Sequence, residues 1–319
     1  MQVTCHFEFS GFLQDPDVYG DLFQKNENNL FFILMYEIYN KLKKKYPHFS
    51  IKCENSWHTA EDGPKKPQYD KALFVIENPI TQKFIAFSMY DKIRYLVELK
   101  EVSDNCIEYL PSWGIHWDDC RYEQIPNFKY TPVSAITHYV LSYNQIEKLY
   151  KENVTNDKRI FPDKIYFRAN AWGVRDLLKK ASDKFCLKQG RIFGNDFIDE
   201  LNKYNVNFDI NAVAEVSCRT FDIMGLGGAL IRPELTIQYH NKLIPNYHYA
   251  AIKGNFVYEE QNGKEIVEAY LDRLEDLRKD PDFVRFLSEN GRKWYEENCT
   301  IENCSQIIVD RIDLNKLFN

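Results

Sequence analysis

SCRTFDIMGLGGALI, residues 217–231, sets an arginine and an aspartate three apart, then three glycines, then an apolar run. As a helix over residues 218–224, it carries Arg219 and Asp222 on one face and Ser217 where an N-cap sits. Two readings fit. In the first, the helix dipole, the first backbone N–H groups, Ser217, Thr220 and the Arg219 fork hold a diphosphate, and Asp222 accepts hydrogen bonds from a ribose. Gly227 and Gly228 then let the backbone come close to that ligand. In the second, Arg219 and Asp222 pair within the helix and the glycines cap its end.

Working outward, strands alternate with helices. Residues 164–167 read as a strand and 174–181 as a helix, with Val174, Leu177, Leu178 and Ala181 at helical spacing. Residues 221–223 before the glycines, and 248–252, also read as strands. That alternation predicts an α/β sheet. Arg168 ends the strand and Arg175 opens the helix after it. Ligands of open α/β sheets bind outside the carboxyl ends of strands, so both arginines can converge with Arg219 on one anion. As two solvated surface arginines they would do nothing of the kind.

The first half reads differently. Residues 30–42 are apolar on most sides and run into Lys43, Lys44 and Lys45, a buried helix with a cationic end. Strands are predicted over 50–53, 72–76 and 84–88, the last two separated by the turn signal Asn78-Pro79. Residues 109–132 are rich in Pro, Trp and Tyr and read as a long loop. A helix from 142 to about 151 leads into a polar stretch, 152–157, that reads as a linker. Near the C-terminus, Asp280-Pro281 caps a helix bearing Phe283, Phe286, Leu287 and Trp294, and a last helix carries Ile301, Cys304, Ile308 and Ile312 on one face.

Composition narrows the class. At 319 residues the chain is about two typical domains long. Hydrophobic residues at 44% exclude a disordered chain, and a net charge of -6 argues against a dedicated nucleic-acid binder. No apolar run approaches the roughly 20 residues of a transmembrane helix, and no signal-like core follows Met1, so a cytoplasmic protein is expected. The eight cysteines are scattered without a C-x-x-C pair and read as free thiols.

Four segments then resemble a known family. Phe167-Arg168-Ala169 with Arg175, Ser217-x-Arg219, the run Leu243-Ile-Pro-Asn-Tyr-His248-Tyr249, and Arg292-x-Trp294-Tyr295 occur in the order seen in the C-terminal half of GT-B glycosyltransferases. The nearest subgroup is the capsule-associated and protein O-glucosyltransferase-like one. The resemblance covers residues 164–312. It implies two Rossmann-like domains facing across a cleft, with C-terminal helices crossing back. Residues 1–151 would form the acceptor-binding domain and 158–319 the nucleotide-sugar-binding domain. It further implies that Arg168, Arg175, Ser217 and Arg219 hold the donor diphosphate while Asp222 takes the place of the ribose-binding acid. Ala169 stands where the family has glycine, and Asp222 where glutamate is more usual.

The chemistry that follows is hexosyl or pentosyl transfer from a UDP- or GDP-linked donor, with no further cofactor. As the anomeric bond breaks, charge grows on the departing diphosphate, which preorganised cations stabilise without a metal. No D-x-D pair of the kind that chelates a cation for a sugar nucleotide is recognised, although Asp118-Asp119 offers two adjacent carboxylates. For an inverting transfer, Asp91 just past the 84–88 strand is the candidate base, with His58, His116 and Asp118 as competitors and a turn-forming role as the alternative. Trp57, Trp113, Trp117 and Tyr109 offer stacking surface for a sugar, or simply pin their loops. Glycan, protein and modified nucleobase all remain open as acceptor, including DNA through the lysine run. Two other classes stay in view: a nucleotide-binding module without turnover, and a dinucleotide-dependent oxidoreductase, though Gly225-Leu-Gly-Gly228 lacks the G-x-G-x-x-G spacing.

Overall fold

A computed structural model describes residues 1–7, 30–55, 74–88, 105–111, 143–167, 185–187, 192, 194–210, 216–235, 241–252 and 263–319. In chain order the first elements are β1 (Gln2–Phe7), α1 (Leu30–Lys45), β2 (Ser50–Asn55), β3 (Phe74–Glu77), β4 (Phe84–Ser88) and β5 (Cys106–Pro111). They are followed by α2 (Tyr143–Asn156), β6 (Ile165–Phe167), β7 (Phe185–Leu187), α3 (Gly194–Leu201), β8 (Val206–Phe208) and α4 (Cys218–Gly225). The last are β9 (Ala229–Pro233), β10 (Ala250–Ile252), α5 (Gly263–Lys279), α6 (Pro281–Cys299) and α7 (Ile301–Arg311). Two compact units result: Met1–His138 with Ile301–Asn319, and Tyr139–Thr300.

The first unit is built on a five-stranded sheet of order β2-β1-β3-β4-β5. β1 pairs parallel with β2 and β4 with β5, but β3 runs antiparallel to both neighbours. The sheet is therefore mixed, unlike the largely parallel winding expected of a Rossmann-like domain. The cause is the short turn after β3, which only antiparallel strands can use. Asn78 builds it, its Oδ1 accepting from the N–H groups of Ile80 and Thr81.

α1 buries Leu34, Ile38 and Leu42 at four-residue spacing, as its apolar stripe predicts. Its cationic end has a specific use: Lys45 Nζ donates to the carbonyls of Val309 (2.6 Å) and Ile312 (3.0 Å) at the end of α7. α7 turns Cys304 and Ile308 inward, and the tail after it buries Leu314 and Leu317. Asn78 and Thr81 both donate to Leu317 O. Residues 301–319 thus group with the first unit, as C-terminal helices crossing back would, although the expected second-domain bounds, 158–319, included them. Apolar spacing marked α7 as a helix, but it carried no sign of which core that helix joins.

The second unit holds a parallel three-stranded sheet, β10-β9-β8, and a parallel pair, β6-β7. β9, in the centre, is buried along its whole length. Its core joins Phe208, Ile231 and Ile252 to Ile266, Tyr270 and Leu274 of α5 and Leu287 of α6. Asp280 caps α6 as expected, accepting from Phe283 N at 2.9 Å. Phe286 is 40% exposed, so it is not the core residue its spacing suggested.

Three readings change. Residues 221–223 lie in α4, the helix read over 218–224, and not in a strand, and the strand follows the glycines. α2 runs on to Asn156, through the expected linker. Its polarity is that of a solvated helix face, and Asn153 Nδ2 ties it down to Asn202 Oδ1 (2.8 Å) and Leu226 O (3.3 Å). β5 takes in residues 109–111 of the expected loop. Cys5, Cys106, Cys218, Cys299 and Cys304 form no disulfide. Among the described residues no helix is long and apolar enough to cross a membrane.

Candidate functional site

The site grows from the carboxyl end of β8. The next residue, Asp209, is 1% exposed and held at both backbone atoms: its N–H donates to Ile231 O (3.0 Å), and its carbonyl accepts from Tyr270 Oη (2.7 Å). With the backbone fixed, its carboxylate becomes an anchor. Oδ1 accepts from Ser217 Oγ at 2.7 Å and Oδ2 from Thr220 Oγ1 at 2.6 Å. Arg232, also 1% exposed, donates from Nη1 to Thr220 Oγ1 (2.9 Å) and lies 3.9 Å from Asp209 Oδ2. A charge buried this deeply needs its counter-charge. Asp209 and Arg232 therefore fix the start of α4 to the ends of β8 and β9.

This network alters the role of Ser217. It occupies the N-cap position with extended backbone, yet its side chain makes no cap hydrogen bond, because Asp209 has it. The Ser217 hydroxyl therefore does not meet the first N–H groups of α4, and Thr220 N–H turns back to the Ser217 carbonyl instead (3.1 Å). Thr220, expected to hold a donor, is wholly buried and its hydroxyl is committed to Asp209 and Arg232. It is an internal strut.

Arg219 and Asp222 do lie together. The Arg219 guanidinium stands over the Phe197 ring of α3 at 5.3 Å. Asp222 is 5% exposed, and burial pushes its carboxyl up to about 8; Arg219 pulls it down and Asp209 pushes it up. Near neutral pH it is therefore mostly protonated, able to donate a hydrogen bond as well as accept one. Burial also raises the Cys218 thiol, with Asp222 and Asp209 adding to the effect, which favours its protonated form.

The glycines belong to the other end of the helix. Gly228 N donates to Ile223 O (2.9 Å) and Gly227 N to Met224 O (3.0 Å), the paired bonds of a Schellman motif, with Gly227 at φ +68°. A Cβ on Gly227 would stand 3.0 Å from the Tyr150 ring. One on Gly225 would come within 2.9 Å of Ile146 and Tyr295. An eight-residue helix is about 12 Å long, so a diphosphate at Ser217 lies out of reach of Gly227 and Gly228. Their φ and packing account for them instead.

The remaining family-like segments serve packing. Arg292 donates to Gly225 O, Glu147 (2.9 Å) and Glu296 (2.7 Å), and Trp294 Nε1 donates to Asn241 O (3.0 Å). His248 Nδ1 accepts from Ile244 N (2.8 Å), and burial lowers its imidazole to about 4, so it is neutral with its proton on Nε2. Tyr249 Oη accepts from Leu235 N at 3.2 Å. Arg168, Arg175, Asp91, His58, His116 and Asp118 lie outside the described residues.

Two residues escaped the sequence reading. Asp209, after a three-residue strand, looks like a turn former. Arg232 was the better signal, an arginine inside the apolar run ALIRP, where a buried cation demands an anion nearby.

No family model and no curated protein matches the chain. Among solved structures, it is similar to sucrose-phosphate synthase from Thermosynechococcus elongatus at 11% identity and a TM-score of 0.40. That likeness covers 86% of this chain and 70% of the other. At such values it carries no argument about the site.

Proposed function

We propose that this protein is a glycosyltransferase of GT-B type that moves a sugar from a nucleotide-sugar donor to an acceptor. The observation that carries the reading is the start of α4, whose own N-cap hydroxyl is turned away to Asp209 while Arg219 stands in its first turn. A helix start without its side-chain cap, beside a guanidinium and just past a strand end, is what a diphosphate requires. The order of the family-like segments adds to this.

In the proposed reaction the bond between the anomeric carbon and the diphosphate breaks, its electron pair leaving with the diphosphate. The acceptor oxygen bonds to the anomeric carbon and gives up its proton. Arg219 and the α4 N–H groups stabilise the leaving group, with Arg168 and Arg175 completing the clamp and no metal called upon. Asp222, mostly neutral, meets the ribose as donor and acceptor. In an inverting transfer Asp91 takes the acceptor's proton.

Titration with UDP and GDP, free and sugar-linked, tests this by calorimetry. Binding should weaken about ten-fold or more in Arg219→Ala, the worth of a charge-assisted hydrogen bond, with the melting temperature little changed. Donor hydrolysis should fall in parallel. Binding without hydrolysis or transfer to any acceptor would make the chain a nucleotide-binding module. Absence of nucleotide binding would end the reading.

A further inference from the structure

The second unit holds a cleft of about 600 Å³ between the carboxyl half of α2 and the first half of α6, floored by Asn205 and Gly227. It lies at the carboxyl end of α4, away from Ser217, and at the amino ends of β8 and β9, so it is not the diphosphate position. Its volume is within the range of small-molecule sites.

Of the residues lining this cleft, Asn205 is the one with a buried side-chain atom that lacks a hydrogen-bond partner. Its backbone is fully used, the N–H donating to Ile160 O (3.0 Å) and the carbonyl accepting from Ala229 N (2.8 Å). Its side-chain Oδ1 is closed off from solvent without any hydrogen-bond partner. Native folds leave few such groups, and each one calls for an explanation. Because the amide torsion of asparagine is soft, a modest rotation presents either end of the group to the cleft.

Of the cations lining it, Arg285 pairs with Asp282 at the surface and two others are held more closely. Arg159 grips Asp157 through Nε and Nη2 and donates from Nη1 to Leu226 O (3.0 Å). Arg292 is held among Glu147, Glu296 and Gly225 O, with its guanidinium 3.7 Å over the Tyr150 ring. A phosphate would have to take these cations from their carboxylates. What the cleft offers instead is the Asn205 amide, Ser288 and Glu289 beside Tyr150 and Val284. Groups that both donate and accept, set beside an aromatic and an aliphatic side chain, match a ligand with many hydroxyls on one side and C–H groups on the other.

We propose that this cleft is a second ligand site, for a neutral saccharide. A sugar hydroxyl gives its hydrogen to Asn205 Oδ1 and accepts from the amide nitrogen, a second donates to the Glu289 carboxylate, and the ring's C–H face lies against Tyr150 and Val284. The assignment does not depend on the glycosyltransferase reading.

Saturation-transfer NMR with glucose, galactose, mannose, N-acetylglucosamine and maltose tests it. At least one should bind the wild-type protein, and affinity should fall about ten-fold or more in Glu289→Gln, a surface change with little effect on folding. Asn205→Ala should do the same, with its melting curve as the control for folding. UDP should not displace the sugar. The proposal is overturned if none of the five binds, if binding survives both substitutions, if UDP displaces the sugar, or if glucose 6-phosphate binds more tightly than glucose.

Discussion

The carboxyl end of α4 answers its own carbonyls through the N–H groups of Gly227 and Gly228, the chain folding back in a left-handed turn. At the amino end the residue best able to cap, Ser217, gives its hydroxyl to Asp209 instead. One end is closed by backbone and needs nothing further. The other is held in place from below and left without its cap. Glycine richness is thus a poor guide to a proposed diphosphate position; a helix start whose N-cap hydroxyl is engaged elsewhere, beside a cation, is a better one.

The largest test strikes the support beneath the amino end. Asp209→Ala removes two hydroxyl partners and leaves the Arg232 charge buried without its anion, which should cost about 3–5 kcal/mol in urea-induced unfolding. A loss under about 1 kcal/mol would mean that Arg232 is satisfied elsewhere and that the amino end is not held from below. The closed end gives a smaller number. Gly227→Ala forces a side chain into left-handed backbone against Tyr150, at a cost of roughly 1–3 kcal/mol. In a Tyr150→Ala background the crowding goes and the backbone strain stays, so part of that cost should vanish. UDP affinity should not change in either case; if Gly227→Ala abolished it without unfolding the protein, the contrast between the ends would fail.

How far the sequence shows this depends on the range of each interaction. Arg219 and Asp222 share a face because helical spacing demands it, and a glycine-ended helix followed by an apolar strand is equally local. The N-cap position of Ser217 was legible for the same reason. Its partner was not. Nothing near Asp209 marks it as the acceptor for Ser217 and Thr220, since that pairing exists only once β8 and α4 are packed. The polar end of α2 was misread similarly: Asn153 looks like linker until Asn202 and Leu226 stand opposite it. Arg168, Arg175 and Asp91, the rest of the expected machinery, lie outside the described residues.

The smallest predicted effect probes the amino end through its proton. Asp222, with its carboxyl raised to about 8, holds a proton near neutrality beside Arg219. A diphosphate bound there adds negative charge and raises that carboxyl further. Below pH 7 the proton is already in place and affinity should be nearly flat. As pH rises through 8, the free protein ionises first and its carboxylate competes for Arg219, so UDP affinity should drop by up to about ten-fold by pH 9, or about 1.4 kcal/mol. Stability should move in the same direction. Between the ordinary aspartate value of 3.8 and about 8 the folded protein keeps a proton the unfolded chain has released, so each step up in pH across that window favours unfolding. Asp222→Asn should remove both dependences, leaving a flatter affinity profile and a melting temperature that declines less from pH 5 to pH 8. If the variant follows the wild type in both, the proton on Asp222 plays no part in nucleotide binding, and the proposed contact between Asp222 and the donor fails.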